Sequence, residues 1–226
     1  MTGFQADIAP VAALMADRGR AAMLTALLDG RPLAAGELAR TAGVSAPTAS
    51  AHLGRLLDGG LVTVVKQGRH RYYRLAGTGV AEVIEALSRI SAPVEVRSLR
   101  QSRQARRLHR ARSCYDHLAG EAGVALFAAL AGGGLLDQDC EVTEKGEERL
   151  LGVGIDVGTL RKARRRFAGE CLDWTERRPH LNGALGAALL VRFIELGWVV
   201  RGDSRELLVT EAGLQGLADS FGCVLP

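Results

Sequence analysis

Two segments of this 226-residue chain set a thiol, a carboxyl and an imidazole in the same order, each beginning Cys-x-Asp. The first reads Cys114-Tyr115-Asp116-His117-Leu118-Ala119-Gly120. The second reads Cys171-Leu172-Asp173-Trp174 and, after Thr175 to Pro179, resumes at His180-Leu181-Asn182-Gly183. Thiolate together with imidazole suits soft ions such as zinc, copper(I) or trivalent arsenic. A thiolate beside a histidine also suits oxidation sensing. If the two segments face each other, Cys114 and Cys171 meet with His117 and His180 near by. These four are the candidate effector or metal residues, and a soft metal or metalloid ion is the candidate cofactor. Neither CxxC nor HxxxH spacing is present, so the pattern is not a ligand signature in its own right. The plain structural alternative makes the cysteines small core residues, each Asp a helix cap and each His a partner for a buried carbonyl. A third reading is a pocket for an organic effector, lined by Trp174 and Arg177 or Arg178. A cysteine nucleophile with a histidine base is the enzymatic reading. The chain carries no oxyanion loop or cofactor fingerprint, so the expectation is that it is not an enzyme.

A different chemistry runs from Gly43 to Leu75. Ser45 is placed to cap a helix, accepting from the first free backbone N–H groups. Pro47 sits in the first turn, where its missing N–H costs nothing. Ala49, Leu53, Leu56 and Leu57 share a face expected to point to the core, leaving Thr48, Ala51, His52 and Arg55 on the other side. Short polar and cationic side chains at the start of a helix that follows a glycine turn are what reading base edges in a major groove requires. Val62 to Val65 reads as a strand, Gly68 as the turn and His70 to Leu75 as the returning strand. Lys66, Arg69, His70, Arg71 and Arg74 make this hairpin cationic. The candidate DNA-contacting residues are therefore Ser45, Thr48, Ser50, His52 and Arg55 on the helix, and Lys66, Arg69, His70 and Arg71 on the hairpin. The alternative for the hairpin is an edge protected by charge.

The elements that position these residues follow from apolar spacing. Ile8, Val11, Ala12, Leu14 and Met15 mark a first helix. A second runs from about Arg20 to Leu28 and stops at Gly30, and a short one spans Ala35 to Thr41. The run Glu37-Leu38-Ala39, Gly43-Val44-Ser45, Thr48-Ala49-Ser50-Ala51-His52-Leu53, Leu56-Leu57, Gly60-Leu61-Val62, Gly68-Arg69 and Tyr72-Tyr73-Arg74-Leu75 is similar to the arsenic-repressor (ArsR/SmtB) family of winged helix-turn-helix transcriptional regulators. The resemblance covers about the first ninety residues. It implies a homodimer on an inverted-repeat, double-stranded operator, acting as a repressor. It also implies that the first helix and the helix after the wing form the dimer interface. Here these are Ile8 to Ala16 and Val80 to Ile90, with Val83, Ile84, Leu87 and Ile90 as the stripe. Both usual metal positions of the family are lost. Gly36-Glu37-Leu38-Ala39 has no cysteines, and Glu82 and Glu85 have no histidine partner. A sensor site, if one exists, must lie elsewhere.

The expected fold is mainly α with small β hairpins: a winged helix-turn-helix domain over residues 1–92, a basic connecting helix over 93–113, and an α-rich C-terminal domain over 114–226. Pro93 closes the first domain. Arg97, Arg100, Arg103, Arg106, Arg107, Arg110 and Arg112 form a cationic stripe for phosphate, or alternatively a solvated face. Arg161-Lys162 and Arg164-Arg165-Arg166 are a second such run. The C-terminal domain reads as two degenerate winged-helix-like repeats, about 114–152 and 171–222, each a helix, a short hairpin and a capped helix. Thr143 and Thr210 are their N-cap candidates. Cys140 is expected in a hairpin, Cys223 in an unstructured end and Trp198 in the core. The net charge is +4, so a polyanionic partner depends on clustering of cations. Four cysteines in a chain of this length do not make a disulfide framework. No apolar run reaches the ~20 residues of a membrane span. The sequence therefore points to a cytoplasmic, DNA-binding regulator without a membrane partner. An effector-independent regulator remains the alternative.

Overall fold

The computed structural model describes residues 6–68, 70–92 and 98–225, and the chain divides into two compact units, Met1–Leu87 and Ser88–Pro226. The first unit runs α1 (Ala9–Met15), α2 (Arg18–Leu27), β1 (Leu33–Ala34), α3 (Ala35–Ala42), α4 (Ala46–Asp58), β2 (Val62–Gln67), β3 (His70–Leu75) and the start of α5 (Thr78–Ile90). Asp17 caps α2, accepting from the backbone N–H of Arg20 at 2.9 Å. Gly43 closes α3 in the left-handed region at φ +64°, where a side chain would be strained. Two residues on, Ser45 caps α4 by accepting from Thr48 N–H. This glycine turn and the cap set the angle between α3 and α4. Met23, Leu24, Leu27, Leu38, Leu53, Leu56 and Leu75 fill the core between the helices and the sheet. Leu57, expected inside, is 38% exposed. It lies about 100° around the helix from Leu56 and so falls off the buried stripe.

The sheet of this unit is antiparallel in the order β1-β3-β2. Gln67 pairs with His70, and the chain reverses just after Gly68. Gly68 holds φ +58°, as such turns demand. Arg69 lies outside the described residues, as do Pro93 and Arg97.

The second unit contains α6 (Leu99–Arg110), β4 (Arg112–Cys114), β5 (His117–Ala119), α7 (Glu121–Gly132), α8 (Glu144–Gly152), α9 (Val157–Arg161), β6 (Gly169–Leu172), β7 (Pro179–Asn182), α10 (Gly183–Glu195), β8 (Val199–Arg201), β9 (Leu207–Val209) and α11 (Glu211–Phe221). Leu126, Phe127, Leu130, Leu185, Leu189, Leu190, Phe193 and Leu217 form one continuous core. Two stretches are built alike. In each, an antiparallel hairpin (β4–β5 or β6–β7) leads through a glycine with positive φ, Gly120 or Gly183, into a long apolar helix. After that helix, Thr143 and Thr210 each cap the next one, accepting from Gly146 and Gly213 N–H at 3.1 and 3.0 Å. A Cβ on Gly146 would stand 2.2 Å from the Leu135 carbonyl oxygen, and one on Gly213 2.1 Å from that of Trp198. Both positions therefore need glycine for close backbone approach.

The structure departs from the sequence expectations at several residues. Arg112 is not part of the exposed stripe. The helix ends at Arg110, and Arg112 enters strand β4 with 1% exposure. Arg100, Arg103, Arg106, Arg107 and Arg110 do lie exposed along α6. Cys223 is buried rather than in a loose end, and its N–H donates to the Leu217 carbonyl at 3.1 Å, closing α11. Trp198 is half-buried and stacks on Phe193 with ring centres 5.5 Å apart. Arg161 pairs with Glu147 and Glu141, and Arg165 with Asp116, so the second arginine run is partly spent on ion pairs. Among the described residues no helix is long and apolar enough to cross a membrane.

Candidate functional site

In the first unit, α4 presents Pro47, Thr48, Ser50, Ala51 and Arg55 to solvent, while Ala49, Leu53 and Leu56 face inward. The outward side chains are small near the N-terminus, which lets the backbone come close to a ligand surface. Ser45 and Thr48 bond to each other through their hydroxyls at 2.8 Å, so the cap and the first exposed turn are held as one piece.

His52 stands apart from the other predicted contacts. It follows Ala49 by three residues and precedes Leu56 by four, both buried, and so it flanks the core stripe. Its ring is 14% exposed, with Nε2 3.6 Å from the Asp17 carboxylate and Nδ1 3.5 Å from an Arg20 Nη. A Cβ on Gly19 would lie 3.0 Å from Nε2, so the glycine makes room for the ring. Arg20 is itself buried and donates to the carbonyls of Leu14 and Ala13 at 2.7 and 3.0 Å. A cation there satisfies the free C-terminal carbonyls of α1. The structure thus ties His52 to the start of α2 instead of turning it outward. Nothing in the sequence spacing marks Arg20 for this task.

On the wing, Lys66 and Arg71 are directly opposite in the strand register, and both are exposed. Like charges so placed destabilise a strand pair unless an anion sits between or over them. His70 is exposed at the turn, opposite Gln67. Arg74 is folded back onto its own sheet, donating to the Thr63 hydroxyl at 3.2 Å.

In the second unit, the register of the two hairpins pairs Cys114 with His117 and Cys171 with His180. The four side chains converge. The two Sγ atoms are 3.9 Å apart and the two Nε2 atoms 3.1 Å apart, and one atom from each residue lies within 4.8 Å of the others. Cys114, His117 and His180 are buried, and Cys171 is half-buried. No disulfide joins any of the four cysteines of the chain. Behind each ring stands a carboxylate: Asp116 Oδ1 lies 3.3 Å from His117 Nδ1, and Asp173 Oδ2 lies 3.5 Å from His180 Nδ1. Each carboxylate has its own arginine, Arg165 for Asp116 at 2.5 Å and Arg112 for Asp173 at 2.8 Å. Asp173 also accepts from the backbone N–H groups of Gly120, Thr175 and Glu176. It is thus a junction that fixes both hairpins, not a helix cap.

The electrostatics follow from this geometry. Burial opposes ionisation of Asp173, but Arg112 and the hydrogen bonds from Thr175 and Gly120 outweigh it and hold the carboxyl well below its usual range. The Cys114 thiol lowers Cys171 far below the ordinary thiol range, with help from His117 and His180 and against the effect of burial. Burial disfavours charge on His117, yet its bonds with Asp116 and Cys171 raise it overall. The other two cysteines behave oppositely: burial raises Cys140 and pushes Cys223 up to about 11. Both lie outside the cluster. Trp174 serves as a lid on the buried ion pair, the Arg112 guanidinium standing 4.7 Å over its ring, and Arg177 and Arg178 are exposed on the hairpin turn. The sequence did not mark a second group, His109 between Glu121 and Glu176 at 3.2 and 3.1 Å.

Residues 15–65 match the family described as "Helix-turn-helix domain". The chain is 46% identical over 211 residues to a Bacillus subtilis (strain 168) protein described as "Uncharacterized HTH-type transcriptional regulator YdfF", covering 92% of this chain and 93% of that one. Among solved structures, HlyU from Vibrio cholerae N16961 is 33% identical, covering 40% of this chain and 97% of its own, with a TM-score of 0.36. The winged helix-turn-helix domain of Mb0332 from Mycobacterium bovis, described as homodimeric and as a possible ArsR-family regulator, is 34% identical over 38% of this chain and 86% of its own, with a TM-score of 0.33.

Proposed function

We propose, from the premise that this chain belongs to the HTH-type transcriptional regulators, that it is a dimeric, sequence-specific DNA-binding repressor of ArsR/SmtB type whose second unit receives a signal. The observation that carries the DNA-binding half is the exposed, small and polar N-terminal face of α4 in the same unit as a wing that sets two exposed cations, Lys66 and Arg71, directly opposite each other. Thr48, Ser50, Ala51 and Arg55 read base edges, and Ser45 holds the helix start in shape. Lys66, Arg69, His70 and Arg71 contact phosphate. Dimerisation is supported by apolar side chains left open on two helices: Ile8 and Val11 at α1, 75% and 40% exposed, and Val83, Leu87 and Ile90 on α5, 46%, 43% and 82% exposed. Repression is the sign that the family resemblance implies.

The effector half rests on Cys114, His117, Cys171 and His180. A polar cluster this buried needs a reason for its cost, and a soft ion or a thiol oxidant supplies one. The matched construction of the two hairpin–helix stretches supports an origin of the second unit by duplication, each copy a degenerate winged-helix-like module. A signal acts by favouring one dimer geometry over the other by ~1–3 kcal/mol.

The test is selection of bound duplexes from a random pool by the full chain, repeated with Arg55→Ala. An inverted-repeat consensus is expected, with Arg55→Ala relaxing preference at one position in each half-site. A pool that shows no consensus, or one unchanged by Arg55→Ala and by Thr48→Ala, would overturn groove docking.

A further inference from the structure

We propose that Cys114, His117, Cys171 and His180 form a closed, four-coordinate site for a zinc-class divalent cation, which staples the hairpins β4–β5 and β6–β7. This deepens the effector half of the reading above and does not depend on the DNA-binding half.

A tetrahedral ion with bonds of about 2.3 Å to sulfur and 2.0–2.1 Å to nitrogen places two sulfurs about 3.8 Å apart and two nitrogens about 3.3 Å apart. The observed separations are 3.9 and 3.1 Å. These donors belong to residues 57 and 63 positions apart in the chain, so the match is not an accident of local spacing.

The hydrogen-bonding pattern points the same way. Asp116 and Asp173 lie at the Nδ1 edges of the two imidazoles, which favours the proton on Nδ1 in both rings. Both Nε2 atoms then carry lone pairs, and they face each other at 3.1 Å. Two acceptors cannot satisfy one another unless a cation, a proton or a metal ion, lies between them. A cation between them accepts both lone pairs at once, and carboxylates behind ligating histidines are the usual orienting arrangement at metal centres. His180 Nδ1 is buried and makes no hydrogen bond among the described residues, with the Asp173 carboxylate 3.5 Å away.

Charge balance selects the ion's valence. Asp116 is neutralised by Arg165 and Asp173 by Arg112. Two thiolates remain, and a divalent ion makes the buried centre neutral, whereas a monovalent one leaves a net negative charge. Binding releases the two thiol protons to solvent. Four protein donors leave no open position, which is the arrangement of structural rather than catalytic zinc.

The backbone is built around the cluster as well. A Cβ on Gly186 of α10 would lie 3.2 Å from His117 Cβ, and one on Gly123 of α7 would lie 3.5 Å from His180 Cβ. Each helix is thus seated on the histidine of the opposite hairpin, and the two rings are stacked with centres 5.0 Å apart.

The experiment uses the full chain, purified under reducing conditions, with zinc and then cobalt(II) as probes. One equivalent of zinc per chain should survive dialysis and be released when the thiols are mercurated. Cobalt(II) should give the intense visible bands of tetrahedral coordination together with thiolate-to-cobalt charge transfer. Cys171→Ser should cut that charge transfer about twofold, and Cys140→Ser should leave it unchanged. Less than a tenth of an equivalent of zinc, a weak octahedral cobalt spectrum, or equal loss from Cys140→Ser would overturn the site, and the wild-type spectrum decides even if Cys171→Ser does not fold. Operator affinity measured on the same samples reads the DNA-binding half separately: intact binding with no metal bound would sink the site alone.

Discussion

Asp173→Ala is the sharpest perturbation of the second unit. The Asp173 and Arg112 side chains are 0% and 1% exposed and meet at 2.8 Å. Removing the carboxylate leaves a buried guanidinium without its counter-charge, a loss of about 3–5 kcal/mol. The N–H groups of Gly120, Thr175 and Glu176 lose their acceptor as well. Of these Gly120 is buried, so its share, about 1–3 kcal/mol, overlaps with the first figure instead of adding fully to it. Against a typical unfolding free energy of about 5–15 kcal/mol, the unit loses a large fraction of its stability. Both tryptophans of the chain, Trp174 and Trp198, lie in this unit, so their fluorescence in urea follows it alone. With an m-value of about 2 kcal/mol/M, the midpoint should fall by roughly 2 M. Adding Arg112→Met should recover part of the loss, because the orphaned charge goes with it. A shift worth less than about 1 kcal/mol, or a double variant whose loss is the plain sum of the two singles, would refute the idea that this pair is a clamp.

Three other outcomes follow from the structure. Lys66→Ala with Arg71→Ala should reduce affinity for every duplex and flatten the log–log salt dependence by about 1.8 per protomer bound, measured by fluorescence anisotropy. Val83→Glu with Leu87→Glu should convert a dimer to a monomer in sedimentation equilibrium, since the stripe on α5 would then carry charge at its centre. His52→Ala should lower the stability of the first unit by about 1 kcal/mol, through lost contacts with Asp17 and Arg20, while leaving the selected consensus unchanged. A shifted consensus would return His52 to the groove-reading face.

The helix-turn-helix segment was legible because its signals are local. A glycine turn, a serine cap and a leucine stripe fix α3 and α4, and a period of two between short turn residues fixes the wing. The cysteine–histidine quartet was legible for another reason: the same residue types recur in the same order in two segments. Spacing alone did not reveal that hairpin register would set Cys114 across from His117 and Cys171 across from His180. What stayed hidden depended on partners distant in sequence. Arg112 looked like one more cation in a run until a strand carried it inward to Asp173, sixty-one residues away. His52 looked outward because a helical wheel does not show Gly19 and Arg20 filling the space beside it. Cys223 looked loose because the left-handed turn at Gly222 that folds the end back under α11 leaves little trace in composition.

DNA recognition by the first unit is the central proposal for this protein. The direct measurement is the affinity of the full chain for a selected inverted-repeat duplex and for a scrambled duplex of equal length, at matched salt. The prediction is a preference of at least about 10³ for the selected site. Equal affinity for both, or no binding to either at low ionic strength, would contradict it.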